Sequence, residues 1–215
     1  MIHILNTRPK NTLSEIAFHL PVIEIVPVQF KPTNTDDFNY CIFLSANAVF
    51  NFFQQQKLTT VASQLIAIGP ATKNALIKLG FIHIITPKTF NSEGILALPE
   101  LKNINNKSVA IISGENPKPL LTQELNLRGT RVKNIFCYSR KPVLHDMNIV
   151  FPKLIKYPID TILSASSESL FYLLQLFKTP EHRQWLLNKK ISIISEKMKA
   201  EAMEAGFCDI CQFAL

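Results

Sequence analysis

The sequence is poor in glycine, has one tryptophan and lacks long apolar runs. Its six glycines in 215 residues form neither a Gly-x-Gly-x-x-Gly fingerprint nor a P-loop, so the usual dinucleotide and nucleoside-triphosphate cradles are missing. No serine sits in a Gly-x-Ser-x-Gly elbow, which argues against that class of serine nucleophile. The five histidines, His3, His19, His83, His145 and His182, are scattered and read as structural, and no His–carboxylate pair has metal-binding spacing. Of the four cysteines, Cys41 and Cys137 lie in apolar, strand-like runs and read as buried thiols. Cys208 and Cys211 have the spacing of half a zinc site, but no second pair or nearby histidine completes it. Neither a metal nor a cofactor is expected. No run approaches the roughly 20 apolar residues of a membrane span, and residues 1–10 show no basic segment leading into an apolar one. The expectation is a soluble, cytoplasmic protein with no membrane partner.

What is present suits a well-packed protein. Hydrophobic residues make up 47% and charged residues 18%, which supports sizeable cores and argues against disorder. The length fits one large domain or two of roughly 100 residues each. Twenty-three Lys and Arg against 16 Asp and Glu leave a net charge of +7, which favours an acidic ligand or nucleic acid. Arg128, Arg131, Lys133, Arg140 and Lys141 fall in a stretch with no acid.

The chain also repeats itself. Residues 65–81 (LIAIGPATKNALIKLGF) return, faded, as 191–207 (ISIISEKMKAEAMEAGF), sharing Ile68/Ile194, Lys73/Lys199, Gly80/Gly206 and Phe81/Phe207. Each copy reads as strand, small polar turn, amphipathic helix and glycine stop. A second pair, 43–53 (FLSANAVFNFF) and 162–175 (ILSASSESLFYLLQ), matches if the later copy holds one extra residue. Strands and helices alternate along the rest with short turns, the mark of parallel sheets covered by helices. Thr12, Ser14 and Glu15 suggest a capped helix running to about Leu20, and 143–158 is poorly patterned. Pro27, Pro32 and Pro142 mark exposed crossings. The predicted fold is α/β, with two similar lobes joined by a two-segment hinge. One lobe comprises residues 1–30 plus 145–215, and the other, 33–139, is inserted into it.

Small polar residues recur at the strand-to-helix turns: Thr7-Arg8-Pro9, Ser45-Ala46-Asn47, Gly69 to Thr72, Asn91 to Gly94, Ser113-Gly114, Ser164 to Ser167 and Ser195. Any one of them is explained by helix capping. Together they line the carboxyl edges of parallel sheets, where ligands bind and helix starts attract anions. Two such edges across a cleft suit a ligand with many carboxylates.

These turns resemble, in order, the motifs of the uroporphyrinogen-III synthase family. The resemblance rests on Thr7-Arg8-Pro9, 44–49 (LSANAV), 66–72 (IAIGPAT), Ser92-Glu93-Gly94, 129–138 (GTRVKNIFCY) and 194–207 (ISEKMKAEAMEAGF). It implies a two-lobe fold and a cofactor-free lyase that dehydrates and cyclises hydroxymethylbilane, a linear octacarboxylate tetrapyrrole, inverting ring D. The product would be uroporphyrinogen III, on the way to haem. The same resemblance implies that Tyr138 is catalytic and that Thr7, Arg8, Ser45, Asn47, Gly69, Thr72, Ser92, Gly94, Ser113, Gly114, Lys118, Ser164 and Ser195 bind substrate, largely beside backbone N–H groups. There are departures: Leu44-Ser45 and Leu163-Ser164 stand where Thr-Ser is usual, and Ser113-Gly114 with Lys118 replaces an Arg-Gly pattern.

The chemistry asks for little. A hydroxymethylpyrrole loses its hydroxyl readily because the ring nitrogen stabilises the azafulvene cation, so positioning and a weak proton donor suffice. Tyr138, near the end of its strand, fits the donor role. Two other classes compete. A non-catalytic two-lobe binder of an anionic small ligand would share the architecture, and a nucleic-acid module would share the charge but lacks interleaved basic and aromatic motifs. The expected partner is a small molecule, not nucleic acid, and the expected assembly is a monomer.

Overall fold

The computed structural model describes residues 3–9, 17–56 and 62–213. Along the chain, β1 (Ile4–Asn6), β2 (Ala17–His19) and β3 (Ile23–Pro27) lead to β4 (Tyr40–Phe43), α1 (Ala46–Gln55), β5 (Gln64–Ala67), α2 (Pro70–Ile77) and β6 (Ile84–Ile85). Next come α3 (Ser92–Leu96), β7 (Ser108–Gly114), α4 (Leu120–Leu127) and the long β8 (Arg131–Pro142). The remainder is α5 (Met147–Lys156), β9 (Thr161–Leu163), α6 (Ser167–Leu176), α7 (Pro180–Leu187), β10 (Lys190–Ile193), α8 (Glu196–Glu204) and β11 (Ile210–Gln212). Residues up to Glu24 and from Lys141 onward form one compact unit, and Ile25–Arg140 forms the other.

The discontinuous unit holds a five-stranded sheet in the order β11-β10-β9-β1-β2, parallel throughout. Leu5, Ile162 and Ile191 from its strands are fully buried with Leu173 and Phe177 from α6 and the chain just beyond it. Ala202 of α8 and Leu154 of α5 complete that packing. The inserted unit contains most of a six-stranded sheet, β3-β8-β7-β4-β5-β6. Its strands from β8 to β6 are parallel. The edge strand β3 runs antiparallel to β8, since Val28 N–H donates to Cys137 and Val143 N–H to Val22. Pro27 sits on this edge strand, where a missing N–H is tolerated.

Near-continuous apolar strands are what a sheet covered on both faces requires. Cys41, Phe43, Ala67, Ala110 and Ile112 pack with Val49 and Phe52 of α1 and Leu76 of α2. The alternate residues Ile42, Ile66, Val109 and Ile111 pack on the other face with Ile95 of α3 and Leu121 and Leu125 of α4.

The strand order β8-β7-β4-β5-β6 of the inserted unit recurs as β2-β1-β9-β10-β11 in the other. The sequence repeat falls on β5-α2-β6 and β10-α8-β11. Gly80 and Gly206 end both copies in the left-handed region, at φ of 93° and 101°, where a Cβ would be strained.

Three local expectations differ from the structure. Of the helix expected from Thr12 to about Leu20, residues 12–16 lie outside the described residues, and 17–19 form a strand. Ile4 pairs with Ala17, Leu5 with Phe18 and Asn6 with His19, so the ladder to β1 overrides the local capping signal. The poorly patterned stretch contains α5, capped by Asp146 and buried through Phe151 and Leu154. Its internal Pro152 masks the helical pattern. The helix α7 is absent from the expected elements, although its Thr179 cap with Pro180 in the first turn is a legible start signal.

Candidate active site

In a parallel sheet all carboxyl ends share one edge, so strand order decides which turns are neighbours. In the inserted unit the neighbouring ends are those of β8, β7, β4 and β5, which bring Tyr138, Ser113-Gly114, Ser45 to Asn47 and Gly69 to Thr72 to a common edge. Ser92 and Gly94 follow β6 at the sheet margin. Lys118 is exposed in the segment between β7 and α4.

The centre of this edge is built around Tyr138. Ser113 pairs with Phe136 but Gly114 pairs with Tyr138, so β8 has one extra residue, Cys137, at a bulge. Alternation would put Cys137 and Tyr138 on opposite faces. The bulge instead sends Ile135, Cys137 and Tyr138 into one apolar cluster with α1. Bulges re-aim side chains in this manner. The Tyr138 ring then lies against Gly114: a Cβ there would come within 2.7 Å of Tyr138 Cζ and 3.1 Å of its oxygen. Only glycine leaves room for the ring. Tyr138 is 4% exposed, and its hydroxyl is 3.0 Å from Ser45 Oγ. Ser45 Oγ is also the N-cap of α1, accepting from Ala48 N–H at 3.0 Å.

Other expected residues have structural employment. Thr72 is buried, as is Ser113, whose hydroxyl donates to the Gly114 carbonyl. Asn47 accepts on its carbonyl from Asn51 Nδ2. Gly69 caps α2 with extended backbone and no side-chain bond, and a Cβ there would press the Phe90 side chain at 3.3 Å. Gly94 donates its N–H to Asn91 Oδ1, the cap of α3. A Cβ on Gly94 would collide with the Thr89 carbonyl oxygen, so this glycine is needed for the turn itself.

In the discontinuous unit the ends of β1, β9 and β10 bring Thr7-Arg8, Ser164 and Ser195 to one edge. Thr7 is fully buried and donates to the Leu163 carbonyl at 2.7 Å, tying β1 to β9. Ser164 is also fully buried, 2.8 Å from Ser169 Oγ. The cap of α6 is Ser166 in a capping box, while Ser195 caps α8. Arg8 is oriented by Asn6, whose Oδ1 accepts from both the Arg8 N–H and Nε. Arg8 Nη2 is buried without a hydrogen-bond partner among the described residues, and burial lowers the guanidinium pKa from its ordinary value. Asn6 was missed in the sequence; its only signal is a polar residue ending an apolar strand.

The basic stretch divides in the same way. Arg128 Nη1 donates to the carbonyls of Leu96 and Leu101, and Lys133 Nζ donates to Thr33 Oγ1. Arg128 is half-buried by its bonds, whereas Lys133 remains exposed. Arg131, Arg140 and Lys141 are exposed along β8. A hollow of about 590 Å³ beside the β7–α4 turn is lined by Asn134, Phe136 and Thr122. Its other lining residues, Glu115, Asn116, Pro117 and Pro119, form the turn that follows Gly114, so the hollow opens at the same strand-end edge, on the face away from α1. Among the described residues no group of His, Cys, Asp and Glu is arranged to hold a metal, and no helix is long and apolar enough to cross a membrane.

Comparison with known proteins agrees across the chain. A family model described as "Uroporphyrinogen-III synthase HemD" matches residues 11–212. The uroporphyrinogen-III synthase of Escherichia coli K12 is 29% identical, the alignment covering 96% of this chain and 93% of that protein. That of Salmonella typhimurium is 31% identical with the same coverage. Among solved structures, uroporphyrinogen-III synthetase from Helicobacter pylori 26695 superposes with a TM-score of 0.66 at 17% identity, covering 98% of this chain and 92% of that one. A mutant uroporphyrinogen III synthase from Thermus thermophilus gives 0.58 at 16% identity, covering 99% and 92%. At those identities the likeness establishes a shared fold.

Proposed function

Since the chain belongs to the uroporphyrinogen-III synthase family, we propose that it dehydrates and cyclises hydroxymethylbilane with inversion of ring D, releasing uroporphyrinogen III. The observation that carries the chemistry is Tyr138, whose hydroxyl is fixed by Ser45 at the strand-end edge. As the carbon–oxygen bond of the hydroxymethyl group breaks, its electron pair leaves with oxygen. The phenol proton of Tyr138 turns that oxygen into water. The pyrrole nitrogen stabilises the cation left behind, which a ring D α-carbon attacks. For ring D to end inverted, its bond to the neighbouring methylene bridge breaks and re-forms at its other α-carbon. The proton shed there as ring D regains aromaticity restores the phenol. No strong acid is needed, which suits a phenol in an apolar setting.

Each unit by itself offers a strand-end edge with donors for carboxylates. The donors are the backbone N–H groups at the starts of α1, α2, α3 and α8, where helix dipoles favour anions, with Arg8 and Lys118 as charged partners. The hydroxyls of Thr7, Thr72, Ser113 and Ser164 support these edges from inside. The enzyme acts as a cytoplasmic monomer; sedimentation equilibrium should give a mass near 24.3 kDa.

The test compares purified variants of matched thermal stability. Tyr138→Phe is expected to slow formation of isomer III. Because the leaving group departs easily, the loss should be at or below about 10²-fold, the low end for a positioned acid. Thr72→Ala and Ser195→Ala should be milder, since side-chain mutation leaves backbone donors intact. Wild-type rates in Tyr138→Phe beside an inactive Thr72 or Ser195 variant would show that the proton comes from elsewhere.

A further inference from the structure

We infer that Ser45 is a positioning residue that sets the direction of the Tyr138 proton; this rests on the donor role of Tyr138 proposed above. A serine hydroxyl has one proton and two acceptor lone pairs. At Ser45 one lone pair is occupied by the Ala48 N–H at 3.0 Å, and the Tyr138 oxygen stands 3.0 Å away. A phenol keeps its proton in the ring plane, so its oxygen offers one in-plane side to a donor and turns its proton to the other. The ring cannot roll freely, because one face rests on Gly114 at a distance that excludes even a methyl group, and the bulge at Cys137 fixes the strand beneath it.

If Ser45 donates, the phenol proton is left free for the departing hydroxyl. If Ser45 accepted instead, that proton would be tied down inside the protein. The α1 cap therefore has a second task. The Ala48 N–H occupies one lone pair; of the proton and the lone pair that remain, the proton is the one given to Tyr138 in this reading. Capping alone would be met as well by Asp, Asn or Thr. Donation to Tyr138 would not, and that difference separates the two roles.

The experiment measures kcat and KM of Ser45→Thr, Ser45→Asn and Ser45→Asp, alone and combined with Tyr138→Phe, beside thermal melting. All three replacements can cap α1, so melting temperatures should remain near wild type. Thr and Asn retain a donor and should keep most of kcat. Asp, ionised and acceptor-only, should accept a hydrogen bond from the phenol O–H, turning that proton inward, and lower kcat by the factor seen for Tyr138→Phe, about 10²-fold at most. In the Tyr138→Phe background Asp should lower kcat no further, although repulsion of a polycarboxylate would still raise KM. Normal kcat in Ser45→Asp beside a slow Tyr138→Phe would overturn the positioning role while leaving the proton donor in place. Equal losses from Asp with and without the phenol would overturn it too. Full activity of Tyr138→Phe would remove the donor and this role together. Should Asp lower the melting temperature, Ser45→Asn against Ser45→Ala in equally stable protein gives the same comparison, with Asn expected to be the faster.

Discussion

Tyr138, Gly114 and Ser45 come from three strands or their ends and form one unit of structure, so their substitutions should not be independent. Gly114→Ala places a methyl where the Tyr138 ring lies, and overpacking of this kind typically costs about 1–3 kcal/mol. Adding Tyr138→Leu should recover much of that stability without restoring activity, as denaturant unfolding of the single and double variants would show. The thiols give a pH signature. Burial pushes Cys41 up to about 11 and Cys137 to about 12, and the Cys137 Sγ donates toward the carbonyls of Ser113 and Ala48. A thiol held neutral in the fold binds its proton more tightly than in the unfolded chain. Its contribution is complete below pH 9 and is lost as pH rises toward 11–12, at up to about 1.4 kcal/mol for each tenfold difference in proton affinity between the folded and unfolded chain. Wild type should lose stability over that alkaline window, and Cys41→Ala with Cys137→Ala should show a shallower decline. A decline unchanged by both substitutions would assign the effect to other groups.

At the scale of elements, the repeated glycine stops explain why the echo survived in the sequence. Gly80 has open space around its Cβ position, whereas a Cβ at Gly206 would approach Leu187 at 3.2 Å. Gly80→Ala should therefore report backbone strain alone, about 1 kcal/mol. Gly80→Asn should recover part of it, and Gly206→Ala should cost more; thermal melts of the three variants test that ranking. Arg128→Ala belongs at this scale as well, because it strips the carbonyls of Leu96 and Leu101 of a donor and should reduce stability more than substrate affinity. The parallel strands, their order of burial and most helices were legible because period-two and period-3.6 patterns are local. The strand at 17–19 was not, since its reason is a ladder to β1, and α5 was hidden by Pro152. The candidate site was legible only as a set of turns at strand ends. What the sequence could not show is direction: Ser164 and Thr7 look like exposed ligands yet turn inward, while the bulge that aims Tyr138 depends on a register visible only across β7 and β8.

For the whole molecule, the net charge of +7 acts at long range on a polyanionic substrate. Raising ionic strength should weaken apparent substrate affinity more than it lowers kcat, because screening shortens the reach of exposed charges. Exposed Lys118, Arg131 and Lys133 should contribute to that slope; KM against salt for each alanine variant measures the share of each. The function proposed for this chain is control over which isomer forms, since hydroxymethylbilane left alone closes to the symmetric isomer I. Its most direct test is chromatographic separation of isomers I and III after hydroxymethylbilane is incubated with catalytic amounts of purified protein, and after it is incubated alone. Predominant isomer III, formed faster than spontaneous closure and lost on heat denaturation of the protein, is the predicted result. Isomer I in the same proportion and at the same rate as the protein-free control would contradict it.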